Sequence, residues 1–510
     1  MVDVTAPAPT LIRPSAWDRW QQRISGDERL ARRWTVLAAV AVTLLAAVLR
    51  FWNLGHPQAL VFDETYYVKD AWTQWVLGYA AEWPEGDDTN DRFVAGETGI
   101  FLSEQPAFVV HPPLGKLLIG AGMALFGADS SFGWRVATAL AGTALVLVLF
   151  LLARTLTGST VFATVAGLLL AVDGLAIVMS RVALLDIFVA LFVLLAFWFL
   201  ALDRRRLPDR LAAALAARPP EGDGGYRFGP VLWDRPWLVA AGVAAGAASG
   251  VKWSGLYALA GIGIYAVVTD LVQRRRAGIR LWAVDGVLRQ GPVSFLLLVP
   301  VAALIYVSSW WGWLATTGGY GRDRASTALE SLWNYHRDIY TFHVGLDTDH
   351  AYESPAWQWP LLLRPTSMYY DQTDAGVQNI YSMPNPLIWW AGVAAVVYLA
   401  YRFFRDRDWR HALVLTGVAV TYLPWLLYPE RTVFQFYTVA ILPFTVLALT
   451  FALRDITRSP DPQRRLPGRV AVLAFLGIAL LVSAFWYPIL TATTVPYDFW
   501  RAHNWLPGWV

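Results

Sequence analysis

Residues 292–310 read PVSFLLLVPVAALIYVSSW, and none of these nineteen residues carries a charged side chain. Three further stretches share this character, namely Thr35–Leu49, Val161–Ala171 and Pro236–Val251. A helix needs about 20 mainly apolar residues to cross the hydrocarbon core of a bilayer. Each stretch is therefore a membrane span or most of one, and the sequence predicts a membrane protein with many spans.

The composition of the 510-residue chain supports this interpretation and limits the function. Hydrophobic residues make up 56% of the chain and charged residues only 15%, whereas soluble domains carry roughly 25% charged residues. The chain has no cysteine, which removes disulfides, thiolate catalysis and cysteine-ligated metals. These features exclude a nucleic-acid-binding protein, a cytosolic enzyme and a disulfide-linked secreted domain.

Hydropathy predicts an all-α fold with eleven spans. They lie at about 34–52, 134–153, 160–179, 183–202, 236–251, 254–272, 291–310, 386–404, 411–428, 432–452 and 470–489. If the N-terminus is cytoplasmic, 28 of the 41 Lys and Arg residues fall in cytoplasmic segments, including the arginine triplets at 204–206 and 274–276. Because basic residues are enriched on the cytoplasmic side, this distribution places the C-terminus outside.

The spans divide the chain into five predicted parts. They are a cytoplasmic tail (1–33), a transmembrane catalytic core (34–310) that includes an extracytoplasmic loop (53–133), a large extracytoplasmic loop (311–385), C-terminal transmembrane helices (386–489) and an extracytoplasmic tail (490–510). Loops of this length are usually functional or disordered, and their abundant Trp, Tyr and His argue against disorder. Leu114–Phe126 is apolar but too short to span, and we expect a helix that enters the membrane from the outer face.

Polar residues gather in the segments predicted on the outer face. They are Asp63 and Glu64 after the first span, His111 and Lys116 at the short helix, Arg135 at the second span, Arg181 and Asp186 between the third and fourth spans, and Lys252 and Trp253 between the fifth and sixth. A carboxylate at the membrane surface can take the proton of an alcohol, and cations can stabilise a departing phosphate. The residue types therefore suit an enzyme that uses a lipid-linked phosphate donor, and they identify the class no further.

Simpler interpretations stay open for several of these residues. Arg181 and Asp186 equally fit an ion pair with each other, and Lys252 fits an interfacial anchor. His336, His343 and His350 recur at every seventh position, which favours one face of a helix over a zinc site.

At these positions the sequence closely resembles the protein O-mannosyltransferases. The matching segments are Val61-Phe62-Asp63-Glu64, His111-Pro112-Pro113-Leu114-Gly115-Lys116, the run from Ser180 to Asp186, the run from Gly250 to Tyr257, Tyr335-His336, Phe342-His343, the run from His350 to Ser354, the run from Trp357 to Pro360, Arg364-Pro365, Asn385-Pro386 and the run from Tyr422 to Trp425. Nearly the whole chain after residue 35 is covered, and the segments occur in the family's order.

The resemblance implies a membrane glycosyltransferase (GT-C-like) fold with two large extracytoplasmic loops. It also implies that Asp63 is the base at the acceptor hydroxyl and that Glu64 supports it. The implied donor- or acceptor-binding residues are His111, Lys116, Arg135, Arg181, Asp186, Lys252, Trp253, His343, His350 and Arg364. No cofactor or metal is implied.

The loop at 312–384 is too short for the β-trefoil (MIR) domain that eukaryotic members carry there. The resemblance is therefore to a bacterial, actinobacterial-like member in the plasma membrane. Such a member would transfer mannose, with inversion, from a polyprenyl-phosphate-mannose lipid to Ser or Thr of exported proteins. Its implied partners are this donor, the acceptor proteins, membrane lipids and the Sec translocon, and no nucleic acid.

Three other functions stay open at this point. A related lipid-phosphosugar transferase could act on a lipid or polysaccharide acceptor, although the pattern at 312–384 is not expected there. A lipid-linked-sugar transporter would place its polar residues near the middle of the bilayer rather than at one face. A structural subunit would tolerate the loss of Asp63.

Overall fold

The computed structural model describes residue 19 and residues 26–219, 225–459 and 461–509. Most of the predicted cytoplasmic tail, residues 1–18 and 20–25, lies outside the described residues. The helices are α1 (Glu28–Phe51), α2 (Glu64–Leu77), α3 (Thr89–Val94), α4 (Leu114–Phe126), α5 (Ser131–Thr157), α6 (Thr160–Val172), α7 (Gly174–Met179), α8 (Asp186–Ala216), α9 (Pro236–Val251), α10 (Ser254–Arg276), α11 (Trp282–Ser309), α12 (Trp311–Ala315), α13 (Ala328–Gly345), α14 (Pro386–Asp406), α15 (Trp409–Tyr422), α16 (Leu442–Thr457), α17 (Pro462–Leu490) and α18 (Tyr497–Arg501).

Eight helices of the described chain are long and apolar enough to cross a membrane: α1, α5, α8, α10, α11, α14, α15 with the turn that follows it, and α17. Each coincides with a span predicted from the sequence. The remaining three predicted spans hold shorter helices, which are α6 with α7, α9, and α16. The multi-pass membrane fold is confirmed, whereas the count of eleven spans stays a prediction.

The span predicted at 160–179 is interrupted at Asp173, which separates α6 from α7. Asp173 has an extended backbone, and its side chain accepts hydrogen bonds from the N–H groups of Ala176 and Asn385, at 3.2 and 3.0 Å. The first bond caps the N-terminus of α7, as short polar side chains do at helix starts. The second bond holds α7 against the start of α14.

The two long loops contain structure that the all-α prediction did not include. The loop at 53–133 holds an antiparallel pair, β1 (Ala81–Glu82) and β2 (Leu102–Pro106), beside α2, α3 and α4. The loop at 311–385 holds a hairpin, β3 (Thr366–Thr373) and β4 (Gly376–Ser382), after α12 and α13.

Helix α8 is central to the core. It packs against α5 and α9, and most residues of its first half are buried. The outward faces of α1, α11 and α17 instead expose Leu37, Leu304 and Leu481. Exposed apolar surface of this extent is expected where a helix faces lipid.

Near the middle of α8, at Asp203, a buried ion network joins α8 to α10, α11 and the residue that precedes α9. Arg235 pairs with Asp203 and Asp270 at 2.5 and 2.6 Å and donates to Ser294 at 3.0 Å. Breaking such a network by removing one partner leaves an uncompensated buried charge. Arg235, one of the basic residues of the predicted cytoplasmic segment 203–235, therefore also ties three helices together.

Candidate active site

Asp63 lies at the junction between α1 and α2, where the backbone makes a sharp turn. The preceding residue, Phe62, has a φ of 50°, a conformation that costs energy for a residue with a large side chain. Its ring meets those of Phe434 and Phe436 edge-on, with both centroids 5.7 Å away. The turn is thus held by packing across to the segment before α16.

Glu64, the next residue, points into the interior and is completely buried together with Arg135. Its two oxygens accept hydrogen bonds from the Arg135 guanidinium, at 2.8 Å each, and from the N–H groups of Val61 and Ala183, at 3.0 and 2.7 Å. Arg135 also donates to the carbonyls of Pro57 and Ala59. This pair fixes the turn and holds it against the segment between α7 and α8.

Lys252 lies in the turn between α9 and α10 and forms the second ion pair. Its Nζ is 3.0 and 2.8 Å from the two carboxylate oxygens of Asp186 and 4.9 Å from the ring centroid of Tyr437. The interpretation that Asp186 pairs with Arg181 is therefore wrong. Arg181 instead donates to the backbone carbonyls of Arg50, Trp52 and Asn53, because its side chain lies across the end of α1.

The Asp63 carboxylate has no hydrogen-bond or ion-pair partner within the part of the chain that the structure describes. Burial raises the pKa of this carboxyl to about 6; Lys252 opposes the rise and Asp186 adds to it. A carboxylate with this pKa, and with free lone pairs, is suited to accept a proton near neutral pH.

A cavity of about 410 Å³ lies between α10, α13 and the segment that follows α15. Asp63 does not line it, but Lys252, whose charge acts on the Asp63 carboxyl, does. Its walls are His111, Lys252, Trp253, Ser254, Leu256, Tyr257, Tyr340, His343, Val344, Pro424, Trp425, Tyr428, Arg431 and Tyr437. Aromatic walls with a few converging polar groups are typical of ligand sites. Two cations, Lys252 and Arg431, reach this space.

Arg431 was not predicted from the sequence as a site residue. Its Nη2 donates to Nδ1 of His343 at 3.1 Å, its guanidinium lies 5.6 Å from the Trp425 ring centroid, and its Nε is buried without an acceptor in the described residues. It lies in a short turn between two predicted outer span ends, as Lys252 does. The same topological argument that found Lys252 would have found it.

The two histidines of the cavity are held neutral. His343 donates from Nε2 to the Val110 carbonyl at 2.9 Å, since its Nδ1 accepts from Arg431, and burial with Arg431 nearby lowers its pKa to about 4. His111 stacks on His343 with ring centroids 5.3 Å apart, and burial and Lys252 lower its pKa well below the ordinary value. Both rings therefore offer flat, uncharged surfaces.

Behind the cavity, Trp253 donates to the Tyr306 hydroxyl at 3.0 Å, and this hydroxyl donates to Nε2 of His336 at 2.6 Å. His336 and His343 both lie on α13 and both contact the ring of Trp253. The expected shared helix face is present for these two histidines. His350 follows the end of α13 and meets Phe62 and Phe434 instead.

The other residues singled out from the sequence lie outside the cavity wall. Lys116 is buried beside Asp70, at 3.4 Å, and Arg364 donates to the carbonyls of Ala351 and Gly508. The structure thus gathers His111, Lys252, Trp253 and His343 around the cavity, with Asp63 and Asp186 beside Lys252. Besides Arg431, the aromatic wall of Tyr257, Tyr340, Trp425, Tyr428 and Tyr437 was missed, because aromatic residues at span ends are ordinary in membrane proteins.

Within residues 26–219, 225–459 and 461–509, no three His, Asp or Glu side chains are grouped so that they could hold a metal ion. The expectation that the chemistry needs no metal stays a prediction. The arrangement supplies two cations that line a space large enough for a headgroup, and near Lys252 it supplies the Asp63 carboxylate, which has no hydrogen-bond or ion-pair partner among the described residues.

Two family models match the chain. Residues 328–509 match the C-terminal four-transmembrane region of protein O-mannosyltransferases, and residues 110–217 match dolichyl-phosphate-mannose–protein mannosyltransferases. The matched ranges contain His111, Asp186, His343 and Arg431.

The fold also occurs in solved structures. The chain aligns with a Saccharomyces cerevisiae protein O-mannosyltransferase Pmt1–Pmt2 complex bound to the sugar donor, with a TM-score of 0.70, 15% identity, and 93% of this chain and 92% of that chain covered. It also aligns with the Archaeoglobus fulgidus oligosaccharyltransferase AglB, with a TM-score of 0.53, 15% identity, and coverage of 93% and 58%. At these identities the likeness concerns the fold, which is that of the membrane glycosyltransferases.

Full-length relatives carry the assignment to a family. The chain is 34% identical to a Mycobacterium tuberculosis polyprenol-phosphate-mannose–protein mannosyltransferase over 94% of this chain and 92% of that protein. It is 30% identical to the Corynebacterium glutamicum protein of the same name, over 94% of each. The chain belongs to the polyprenol-phosphate-mannose–protein mannosyltransferase family.

Proposed function

We propose that this protein transfers mannose from a polyprenyl-phosphate-mannose lipid to Ser and Thr hydroxyls of exported proteins. The observation that carries the proposal is the unpaired carboxylate of Asp63, with a pKa of about 6, near Lys252, which is one of the two cations that line the cavity. The names of the full-length relatives and the donor-bound yeast structure support the choice of donor and acceptor.

The proposed reaction is a single displacement at the anomeric carbon of mannose. Asp63 takes the proton of the acceptor hydroxyl, the acceptor oxygen forms the new bond, and the bond from the anomeric carbon to the phosphate oxygen breaks with inversion. The polyprenyl phosphate leaves with the electron pair. Lys252 and Arg431 stabilise its negative charge, and such preorganised electrostatic contacts are usually the largest contribution to catalysis.

Asp186 and Glu64 have positioning roles in this mechanism. Asp186 holds the ammonium group of Lys252 in place through both oxygens. Glu64 is fully buried and engaged by Arg135 and two backbone N–H groups, so it fixes the turn that presents Asp63 rather than meeting the substrate. His111, His343 and Trp253 offer the ring surfaces on which a sugar can stack.

The proposal includes an orientation. The N-terminus is cytoplasmic, and the Asp63 site and the C-terminus lie outside the plasma membrane, since the arginine-rich helix ends lie opposite the site. Acceptors are then exported chains that reach the site while still extended, and association with the Sec translocon would deliver them.

Replacing Asp63 by Asn removes the base while preserving the shape of the side chain. We expect the rate of mannosyl transfer from purified polyprenyl-phosphate-mannose to a Thr- and Pro-rich peptide to fall by roughly 10²- to 10⁴-fold. The matched control is Asp91→Asn, an exposed carboxylate of the same loop, which should keep the wild-type rate. Wild-type activity in Asp63→Asn would refute the assignment of the base.

The pH dependence follows from the raised pKa of Asp63. Below about pH 6 the carboxyl is protonated and cannot accept the proton of the hydroxyl, so kcat/KM should rise with pH and level off above about 6. At pH 5 roughly a tenth of the plateau value is expected. The residual rate of Asp63→Asn should lack this inflection, and an unchanged inflection in that variant would assign it to another group.

Arg431→Gln removes the cation that the sequence did not reveal. We expect kcat/KM for the lipid donor to fall roughly 10- to 100-fold, because the departing phosphate loses a charged hydrogen-bond donor. Arg431→Lys should recover part of the loss. Arg337→Gln, on the exposed side of α13, is the control, and equal kinetics in the Arg431 and Arg337 variants would contradict the proposed role.

Because the chain has no cysteine, single cysteines can report the orientation. Asp374→Cys, in the turn between β3 and β4, should react with a membrane-impermeant maleimide in intact cells. Arg275→Cys, at the end of α10, should react only after the membrane is opened. The reverse labelling pattern would invert the proposed topology.

A further inference from the structure

A second and larger cavity lies between α10 and α15, on the side away from the active-site cavity. Its volume is about 1020 Å³, and it opens between α10 and α15, with the end of α14 and Arg204 of α8 closing it. Typical small-molecule sites span roughly 300–1,000 Å³, so this space suits a larger ligand. Nothing in the proposed transfer reaction uses it.

The long walls of this cavity are apolar. On α10 they are formed by one helical face that includes Ile264, Val268 and Val272, and on α15 by Leu415 and Ala419. Ile264 is 67% exposed and Val268 is 50% exposed, so the cavity is open along the side of the protein that faces the bilayer. A ligand with hydrocarbon chains can therefore enter sideways.

Arg204 is the unusual feature of the cavity. The residue is only 6% exposed, its Nε is buried without an acceptor, and within the described ranges no hydrogen bond or ion pair joins its side chain to another residue. Its guanidinium lies 5.3 Å from the centroid of the Trp409 ring, and Tyr265, Asp270 and Asp203 act on it only through their charges. A buried charge without a partner is costly, and an anionic ligand would remove that cost.

The acidic residues of the cavity do not fill this role. Asp406 pairs with Arg402, and Asp408 pairs with Arg410 and caps α15. Two further arginines, Arg276 and Arg407, line the same end of the cavity and are exposed. The polar end therefore presents three guanidinium groups whose charge these two carboxylates leave uncompensated.

We propose that this cavity binds an anionic glycerophospholipid. Its phosphate is held by Arg204, with Arg276 and Arg407 at the rim, and its acyl chains lie along α10 and α15. Guanidinium groups bind phosphate oxygens through charge-assisted hydrogen bonds, and apolar helix faces match acyl chains. In the orientation proposed above, the lipid comes from the cytoplasmic leaflet; the binding site itself does not depend on that orientation.

The donor's polyprenyl tail is the competing occupant, and the geometry disfavours it. α10 and α15 touch where Gly261 meets Val420, so closely that a Cβ at Gly261 would collide with the Val420 side chain. This contact separates the active-site cavity from the second one along the groove between the two helices. A tail that starts at Arg431 would have to leave the groove before it could reach Arg204.

The test measures retained lipid on the purified full-length protein in detergent by native mass spectrometry. The probes are dioleoyl phosphatidylglycerol and dioleoyl phosphatidylcholine, which share their acyl chains and differ in net charge. We expect wild-type protein to retain phosphatidylglycerol in preference to phosphatidylcholine. Arg204→Gln should lower retention of phosphatidylglycerol roughly tenfold or more.

Two controls keep the outcome decisive. Arg206→Gln changes an exposed arginine of the same helix end that stacks on Trp237, and it should retain lipid like wild type. Ile264→Trp fills the apolar part of the cavity from its exposed side and should also lower retention, whereas Leu473→Trp, on the exposed face of α17, should not. Equal retention in the Arg204 and Arg206 variants would overturn the proposal, as would displacement of phosphatidylglycerol by equimolar polyprenyl phosphate.

Discussion

The buried ion pair between Glu64 and Arg135 is the interaction on which the site depends. Both side chains are inaccessible to solvent, and among the described residues their hydrogen bonds go only to each other and to the backbone of the first loop and of the α7–α8 connection. A buried pair of this kind adds little net stability, but removing one partner is severely destabilising. The pair therefore holds the surrounding backbone in one geometry. That geometry forces the adjacent turn, with Phe62 in its unfavourable conformation, to present Asp63 towards Lys252 and Asp186 rather than towards Arg135.

This ion pair explains why the two adjacent carboxylates, Asp63 and Glu64, have different roles. Glu64 is saturated with donors, whereas Asp63 has none in the described chain and meets Lys252 and Asp186 only through their charges. A carboxylate that accepted the same four hydrogen bonds would have no lone pair available for a substrate proton. The two roles differ only because the two side chains point in different directions, as those of consecutive residues at the start of a helix do.

Much of the fold was accessible from the sequence, since charge-free runs and the placement of arginine predict spans and sides directly. The same reasoning brought Asp63, His111, Asp186 and Lys252 to one face. The ion-pair partners could not be predicted, because knowing on which side of the membrane a residue lies does not identify its partner. Arg181, for example, donates to three backbone carbonyls rather than to Asp186. The helix break at Asp173 and the strand pairs in the loops were not predicted either, because they depend on contacts between segments distant in sequence. Arg431 escaped only because no recognisable motif surrounds it.

The two cavities are linked by the geometry of one helix. Asp186 begins α8 beside the active site, and Arg204 follows eighteen residues later, which corresponds to about 27 Å of helix. That separation is close to the roughly 30 Å thickness of a bilayer's hydrocarbon core. A helix segment of this length is long enough to place one charged residue near each surface of the membrane. Asp186 forms an ion pair with Lys252, whereas Arg204 forms no ion pair with any described residue. This difference between Asp186 and Arg204 is explained if an anionic lipid of the bilayer, rather than a residue of the polypeptide, supplies the anion that pairs with Arg204.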